Sequence, residues 1–196
     1  MDWFIPLTVT FVAIFLAELG DKTQLVTISF ASKYPHVPVF FGVFLGMSMI
    51  TVLGVVLGTI LFEFIPIIAV KILSGLIFLI FGVWTLLKRE EEEEEVEDQD
   101  SKKIDDKSIF STTFIMISLA EFGDKTQFAV IALTAQYGSP FMVLLGAVLA
   151  FALIVGIGVV LGKKLSEKVS TKWIEFGSGI LFIVIGILFI AEALLF

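Results

Sequence analysis

The chain contains no cysteine among its 196 residues and only one histidine, His36. Without thiols it cannot form disulfides, thiolate metal sites or a dithiol redox centre. His36 lies beside two prolines in a short polar stretch between apolar segments, where a lone histidine is more often incidental than a pH sensor. The sequence therefore predicts that neither thiol nor imidazole chemistry carries the function.

Charged residues are scarce outside one segment. Residues 88–107 hold eleven acids and five bases, which leaves only −1 of the total net charge of −7 for the rest of the chain. The glutamate run in this segment cannot bury enough apolar surface to fold by itself. We expect residues 89–108 to form an acidic cytosolic linker that tethers two halves. A low-affinity cation buffer at the cytosolic face is the alternative interpretation.

The remainder is strongly apolar, with 58% hydrophobic residues overall and a mean hydropathy of +1.03. A membrane-spanning helix needs about 20 apolar residues. The first apolar stretch has no basic leading region and contains a motif that recurs later, so we expect a span there rather than a signal peptide. The sequence predicts an all-α integral membrane protein with six transmembrane helices, at residues 5–32, 37–62, 65–87, 109–133, 141–162 and 173–195.

Residues 17–24 (AELGDKTQ) return almost unchanged as residues 120–127 (AEFGDKTQ). The repeat continues at constant spacing through glycines that we expect to allow close helix packing. Gly42, Gly54, Gly58, Gly75 and Gly82 recur as Gly146, Gly158, Gly162, Gly179 and Gly186. Each half has an odd number of spans, so the halves are predicted to be inverted three-helix repeats, as in secondary transporters. They comprise residues 1–88 and 109–196, joined by the linker 89–108.

Basic residues are distributed unequally between the two faces of this arrangement. Apart from the lysines of the two motifs, ten lie on the side of the linker and only Lys71 lies towards the other side. Loops rich in lysine and arginine stay in the cytosol. The linker is therefore predicted to be cytosolic and both termini to lie outside.

Each motif places two carboxylates and a lysine in the middle of an apolar span, where charges are costly and mark functional sites. In an unbroken helix these three residues share one face, whereas unwinding at the central glycine would free backbone carbonyls for the site. We predict that the two motifs converge. The predicted cation ligands are Glu18, Asp21, Gln24, Glu121, Asp124 and Gln127. The four acids among them also couple to protons, and Thr23 and Thr126 are candidate secondary ligands.

The ligand set contains no histidine, cysteine or methionine, which suits Mn²⁺ or Ca²⁺ better than soft ions. Four carboxylates and two ammonium groups sum to −2, which one divalent cation or two protons would neutralise. Exchange of one cation for two protons is the resulting hypothesis. Lys22 and Lys125 are predicted to balance charge. Each is either a structural ion-pair partner of the opposite motif or a mobile counter-ion.

The doubled E-x-G-D-K-T motif, in two three-helix halves divided by an acidic loop, resembles the Golgi-type calcium/manganese–proton antiporter family, which includes chloroplast relatives and bacterial manganese exporters. The resemblance covers nearly the whole chain. It implies a transporter rather than an enzyme, which exports Mn²⁺ or Ca²⁺ from the cytosol against entering protons. It assigns cation binding to Glu18, Asp21, Glu121 and Asp124, and the compact length fits a member in a prokaryotic cell membrane.

The predicted partners are the lipid bilayer and the transported ions, without nucleic acid or a resident cofactor, and the sequence specifies no oligomeric state. Three other functions are compatible with acids at membrane depth. Asp21 and Asp124 could form the dyad of an intramembrane aspartyl protease, although a shared-proton dyad needs neither the glutamates nor the lysines. The acids could instead hold the ammonium group of an exported cationic amino acid, or line a passive channel.

Overall fold

The computed structural model describes residues 4–87, 105–161 and 171–195, and every regular element in these ranges is an α-helix. The all-α fold predicted from the sequence is confirmed. In chain order the helices are α1 (Phe4–Glu18), α2 (Lys22–Lys33), α3 (His36–Phe64), α4 (Ile67–Leu87), α5 (Asp106–Glu121), α6 (Lys125–Tyr137), α7 (Pro140–Leu161) and α8 (Thr171–Leu195).

Within the described ranges, α3, α4 and α7 are each long and apolar enough to cross a membrane. The pair α1 and α2 makes a fourth candidate if the two are taken as one bent span. The chain is therefore an integral membrane protein. The described residues form eight helices rather than the six predicted, because the first apolar stretch of each half is divided in two.

The predicted linker falls mainly outside the described residues. Its part from 89 to 104 is not among them, and α5 begins at Asp106. The last three residues of the predicted linker, 106–108, are therefore helical. Because α5 starts with an aspartate in its first turn, the favourable interaction of a carboxylate with the helix N-terminus gives a physical reason for this earlier start.

The two halves interlock rather than lying side by side. Helix α3 of the first half packs against α5 and α6 of the second, and α7 of the second half packs against α1 and α2 of the first. Helices α4 and α8 pack along each other. Exchanging the halves converts the α3 contacts into the α7 contacts and leaves the α4–α8 pair unchanged, which is the arrangement that a duplicated chain predicts.

Glycines bring these helices together at backbone distance. A Cβ atom on Gly146 would lie 2.5 Å from the carbonyl oxygen of Leu7 on α1. Gly75 and Gly186 face each other across α4 and α8, where a Cβ on either would lie 2.8 or 2.7 Å from the carbonyl oxygen of the other. At these positions the prediction that glycine allows close helix approach is confirmed. Gly162 lies outside the described residues.

The contact at Gly146 gives a stability prediction with a control on the same helix. Gly146→Ala should lower the free energy of unfolding by about 1–3 kcal/mol, because backbone must move to admit the methyl group. Gly156→Ala should not, since its nearest contact would be an ordinary 3.9 Å to Phe40 Cε2. Thermal unfolding of the two detergent-purified variants measures the difference. Equal melting temperatures would contradict the close packing of α7 on α1.

Candidate cation site

The first motif lies at a break between two helices. Helix α1 ends at Glu18 and α2 begins at Lys22. Between them Gly20 has a φ of 79°, a left-handed conformation that glycine adopts without steric cost. Asp21 follows with φ −77° and ψ 167° and leads into α2. The chain consequently bends by 66° between α1 and α2.

The second motif has the same local structure. Helix α5 ends at Glu121, Gly123 has a φ of 78°, and Asp124 leads into α6 with φ −78° and ψ 167°. Local unwinding at the central glycine, one of the two arrangements considered from the sequence, is therefore present in both halves. The other arrangement, an unbroken helix with the charges along one face, is wrong because the left-handed glycine interrupts the helical register.

A glutamine side chain bridges each break. The backbone N–H of Gly20 donates to Oε1 of Gln24 at 2.5 Å, and that of Gly123 donates to Oε1 of Gln127 at 2.7 Å. Both glutamines are buried. The bond resembles a capping box, in which the third residue of a helix reaches back to an amide before its first turn. The sequence carries this signal as Asp-x-x-Gln, although we predicted the glutamines only as ligands.

Hydroxyl groups join the two motifs across the interface between the halves. Thr23 donates a hydrogen bond from Oγ1 to Oε1 of Glu121, and Thr126 donates one from Oγ1 to Oε1 of Glu18. All four side chains are at least 97% buried. With the helices broken, the threonines contact the glutamates of the opposite motif. Each glutamate is held by the opposite half of the chain.

Three of the four predicted acids converge. One carboxylate oxygen from each of Glu18, Glu121 and Asp124 lies within 4.8 Å of the other two. The fourth acid, Asp21, forms an ion pair with Lys125 of the opposite motif, with 2.9 Å between Oδ2 and Nζ. An ion pair between Lys125 and a carboxylate of the opposite motif is the contact expected if this lysine has a structural role rather than that of a mobile counter-ion. Lys22 begins α2, and its side chain is outside the described part of the structure.

The converging oxygens have the spacing and the chemistry of a hard-cation site. Oxygens that share one Ca²⁺ at about 2.3–2.6 Å cannot lie more than about 5 Å apart, and the three carboxylate oxygens satisfy that limit. Oε2 of Glu18 is buried and has no hydrogen-bond partner among the described residues. A buried carboxylate oxygen without a partner is unfavourable, and either a proton or a cation would satisfy it.

The chain matches the family model described as "Divalent cation/proton antiporter GDT1" over residues 6–93 and 109–195. It is 32% identical over 182 residues to GDT1-like protein sll0615 of Synechocystis, covering 85% of this chain and 87% of that protein. It is 30% identical to GDT1-like protein 5 of Oryza sativa subsp. japonica, with 88% of each chain covered.

The chain is also 26% identical over 226 residues to the Saccharomyces cerevisiae protein named divalent cation/proton antiporter GDT1, covering 91% of this chain and 80% of the yeast protein. No solved structure matches the chain. These matches confirm the family resemblance that the doubled motif indicated. The matched family consists of transporters rather than enzymes. The chain belongs to the GDT1 family of divalent cation/proton antiporters.

Proposed function

We propose that this chain exchanges a divalent cation, Mn²⁺ or Ca²⁺, for protons, and that it exports the cation from the cytosol. The observation that carries the proposal is the convergence of carboxylates from both motifs, with oxygens of the buried Glu18 and Glu121 and the half-buried Asp124 within 4.8 Å of one another. Membership of a divalent cation/proton antiporter family supports the same activity.

Competition for the same oxygens provides the coupling. Glu18 and Glu121 are almost completely buried, and several carboxylates so close together cannot all stay charged and empty without a large cost. A divalent cation satisfies them in one state and protons satisfy them in the other. Because one oxygen cannot hold a proton and the cation together, entry of one requires departure of the other.

The stoichiometry that we propose follows from the summed charge of the acids and lysines in the two motifs. The ion pair between Asp21 and Lys125 is neutral as a unit, and the sequence supplies the same pair of residue types at Asp124 and Lys22. If both lysines keep their charge, the four carboxylates and two ammonium groups total −2. One divalent cation or two protons would neutralise that charge. Exchange of one for two moves no net charge.

We further propose that the chain crosses the membrane six times as two inverted three-helix repeats. Each broken pair, α1 with α2 and α5 with α6, would count as one span, beside α3, α4, α7 and α8. The pairing of helices with the halves exchanged supports this topology. The excess of basic residues on one side supports a cytosolic linker with both termini outside, and we propose a prokaryotic cell membrane as the location.

The family and one contact favour a small cation over the alternatives. The three oxygens lie close enough to share one metal ion, and the matching family is named for divalent cations rather than for amino acids. An aspartyl protease would need Asp21 and Asp124 to share a proton. Asp21 instead contacts Lys125, and the family is one of antiporters rather than enzymes.

Reconstituted transport tests the proposal. In proteoliposomes with an internal pH dye, a gradient of Mn²⁺ or Ca²⁺ should drive proton movement in the opposite direction, and Asp21→Asn should abolish it while eluting normally from a sizing column. Clamping the membrane voltage with potassium and valinomycin should leave the initial rate unchanged, because the exchange is electroneutral.

Proton movement driven by lysine but not by metal would favour the amino-acid exporter. Saturable, proton-coupled uptake against a gradient excludes a channel.

A further inference from the structure

We propose that Gln24 and Gln127 are positioning residues, each of which fixes the helix break beside it and thereby orients the neighbouring carboxylates. This role differs from cation ligation, which the sequence predicted for both. The inference rests on the proposed function, since the shape of the break matters for transport only if those carboxylates bind the cation. Its structural part can nevertheless be tested without metal.

The direction of the hydrogen bond identifies the glutamine atom that makes it. A backbone N–H can only donate, so the side-chain atom that faces it must be the amide oxygen. Oε1 of Gln24 lies 2.5 Å from the nitrogen of Gly20, and Oε1 of Gln127 lies 2.7 Å from that of Gly123. The oxygen that a cation would need is therefore already an acceptor in both halves.

Among the described residues, the bridged amide has a side-chain acceptor in place of a backbone one. At the first break, the N–H of Leu19 donates to the carbonyl of Phe15 at 3.1 Å, and that of Asp21 donates to the carbonyl of Glu18 at 3.2 Å. Gly20 lies between them, and its N–H is taken by Gln24. Gly20 is half-buried, and an N–H partly shielded from water destabilises a conformation that leaves it without an acceptor. The glutamine thus stabilises the left-handed glycine.

Each glutamine also lies against a glycine of the opposite half. Cγ of Gln24 would lie 3.9 Å from a Cβ on Gly158 of α7, and Cγ of Gln127 would lie 3.6 Å from a Cβ on Gly54 of α3. Gln24 and Gln127 are 7% and 8% exposed. Each side chain is thus enclosed between its own helix break and the opposite half, which limits the conformations open to it.

Hydrogen exchange of the purified, metal-free protein tests this role. In Gln24→Met, which keeps the length but lacks the acceptor, the amide of Gly20 should exchange roughly fivefold faster, as expected for loss of one hydrogen bond. Exchange at residues 122–127 should not change. Gln127→Met should give the reverse pattern. Gln136→Met, a buried glutamine near the other end of α6, is the matched control and should leave both breaks unchanged.

A conservative variant separates the hydrogen bond from packing. Gln24→Glu keeps an acceptor at the same reach and should restore protection of the Gly20 amide, whereas Gln24→Asn is one methylene shorter and should not. Each half provides an independent test, so Gln127→Met is sufficient if Gln24→Met cannot be purified. Unchanged exchange at the break in a folded methionine variant overturns the inference.

A second readout separates this inference from the proposed function. Mn²⁺ affinity is measured in the same variants by calorimetry. Weaker Mn²⁺ binding with unchanged metal-free exchange would show that the glutamines are ligands and would overturn the positioning role. The opposite result is faster hydrogen exchange in the variants together with a wild-type protein that binds neither Mn²⁺ nor Ca²⁺. It would support the positioning role and would end the transport proposal.

Discussion

Glu18→Gln should reduce both cation affinity and cation-driven proton release by roughly two orders of magnitude, since removal of one buried unit charge near a cation costs several kcal/mol even at an effective dielectric constant of about 20. The substitution is close to isosteric. The glutamine amide oxygen can still accept the hydrogen bond that Thr126 donates to Oε1, so the effect isolates the charge and the proton-binding capacity. By the symmetry of the two motifs, Glu121→Gln should behave in the same way.

Stability should move in the opposite direction from transport. Oε2 of Glu18 has no hydrogen-bond partner among the described residues, and removal of a buried, poorly compensated charge is often neutral or stabilising. Glu18→Gln should therefore melt at or above the wild-type temperature in metal-free detergent solution. This combination of lost activity and retained stability identifies a functional residue more firmly than lost activity alone.

The control for this prediction is Glu192→Gln. Glu192 also pairs with the opposite half, through a 2.7 Å contact with Lys71, but 48% of its side chain is exposed. Its substitution should leave Mn²⁺ affinity and transport unchanged. Calorimetry gives the affinity and the proteoliposome assay gives the rate. Glu18→Gln protein with wild-type affinity and rate would exclude Glu18 from the site.

Much of the architecture of the fold could be predicted from the sequence, because the duplication of the chain is visible as repeated short motifs. The recurrence of AEXGDKTQ and of evenly spaced glycines predicted two related halves. The structure has the close backbone contacts at Gly146, Gly75 and Gly186 that this recurrence implies. Apolar length predicted where helices lie, since a bilayer requires a fixed number of apolar residues per span.

The details of the site were less accessible, because they depend on one backbone conformation. Glycine permits a left-handed φ but does not require it, so the sequence left open whether the motif helices are continuous. Once Gly20 and Gly123 take that conformation, the order of side chains along the helix no longer determines what they contact. Thr23 and Thr126 then reach across to the opposite glutamates, which a 3.6-residue period could not indicate.

The ion pair between Asp21 and Lys125 gives the second large expected effect. Its atoms are 2.9 Å apart, and the two side chains are 16% and 13% exposed. Lys125→Gln should lower the free energy of unfolding by about 3 kcal/mol, because breaking a buried pair leaves a charge without compensation. Adding Asp21→Asn should restore most of that loss, since the double variant contains neither charge. Thermal unfolding of both single variants and the double variant yields the coupling energy.

Transport distinguishes the two interpretations of this lysine. If Lys125 only holds Asp21 in place, the double variant should fold normally and still lack exchange, because Asp21 is one of the proposed proton-coupling acids.

Lys71→Gln is the matched control. It breaks an interhelical pair whose carboxylate is half exposed, and such pairs contribute about 0–1 kcal/mol. Additive losses in Asp21→Asn and Lys125→Gln, with no recovery in the double variant, would show that the two side chains do not stabilise each other. A mobile counter-ion would instead give a stable Lys125→Gln protein that binds Mn²⁺ but exchanges it slowly.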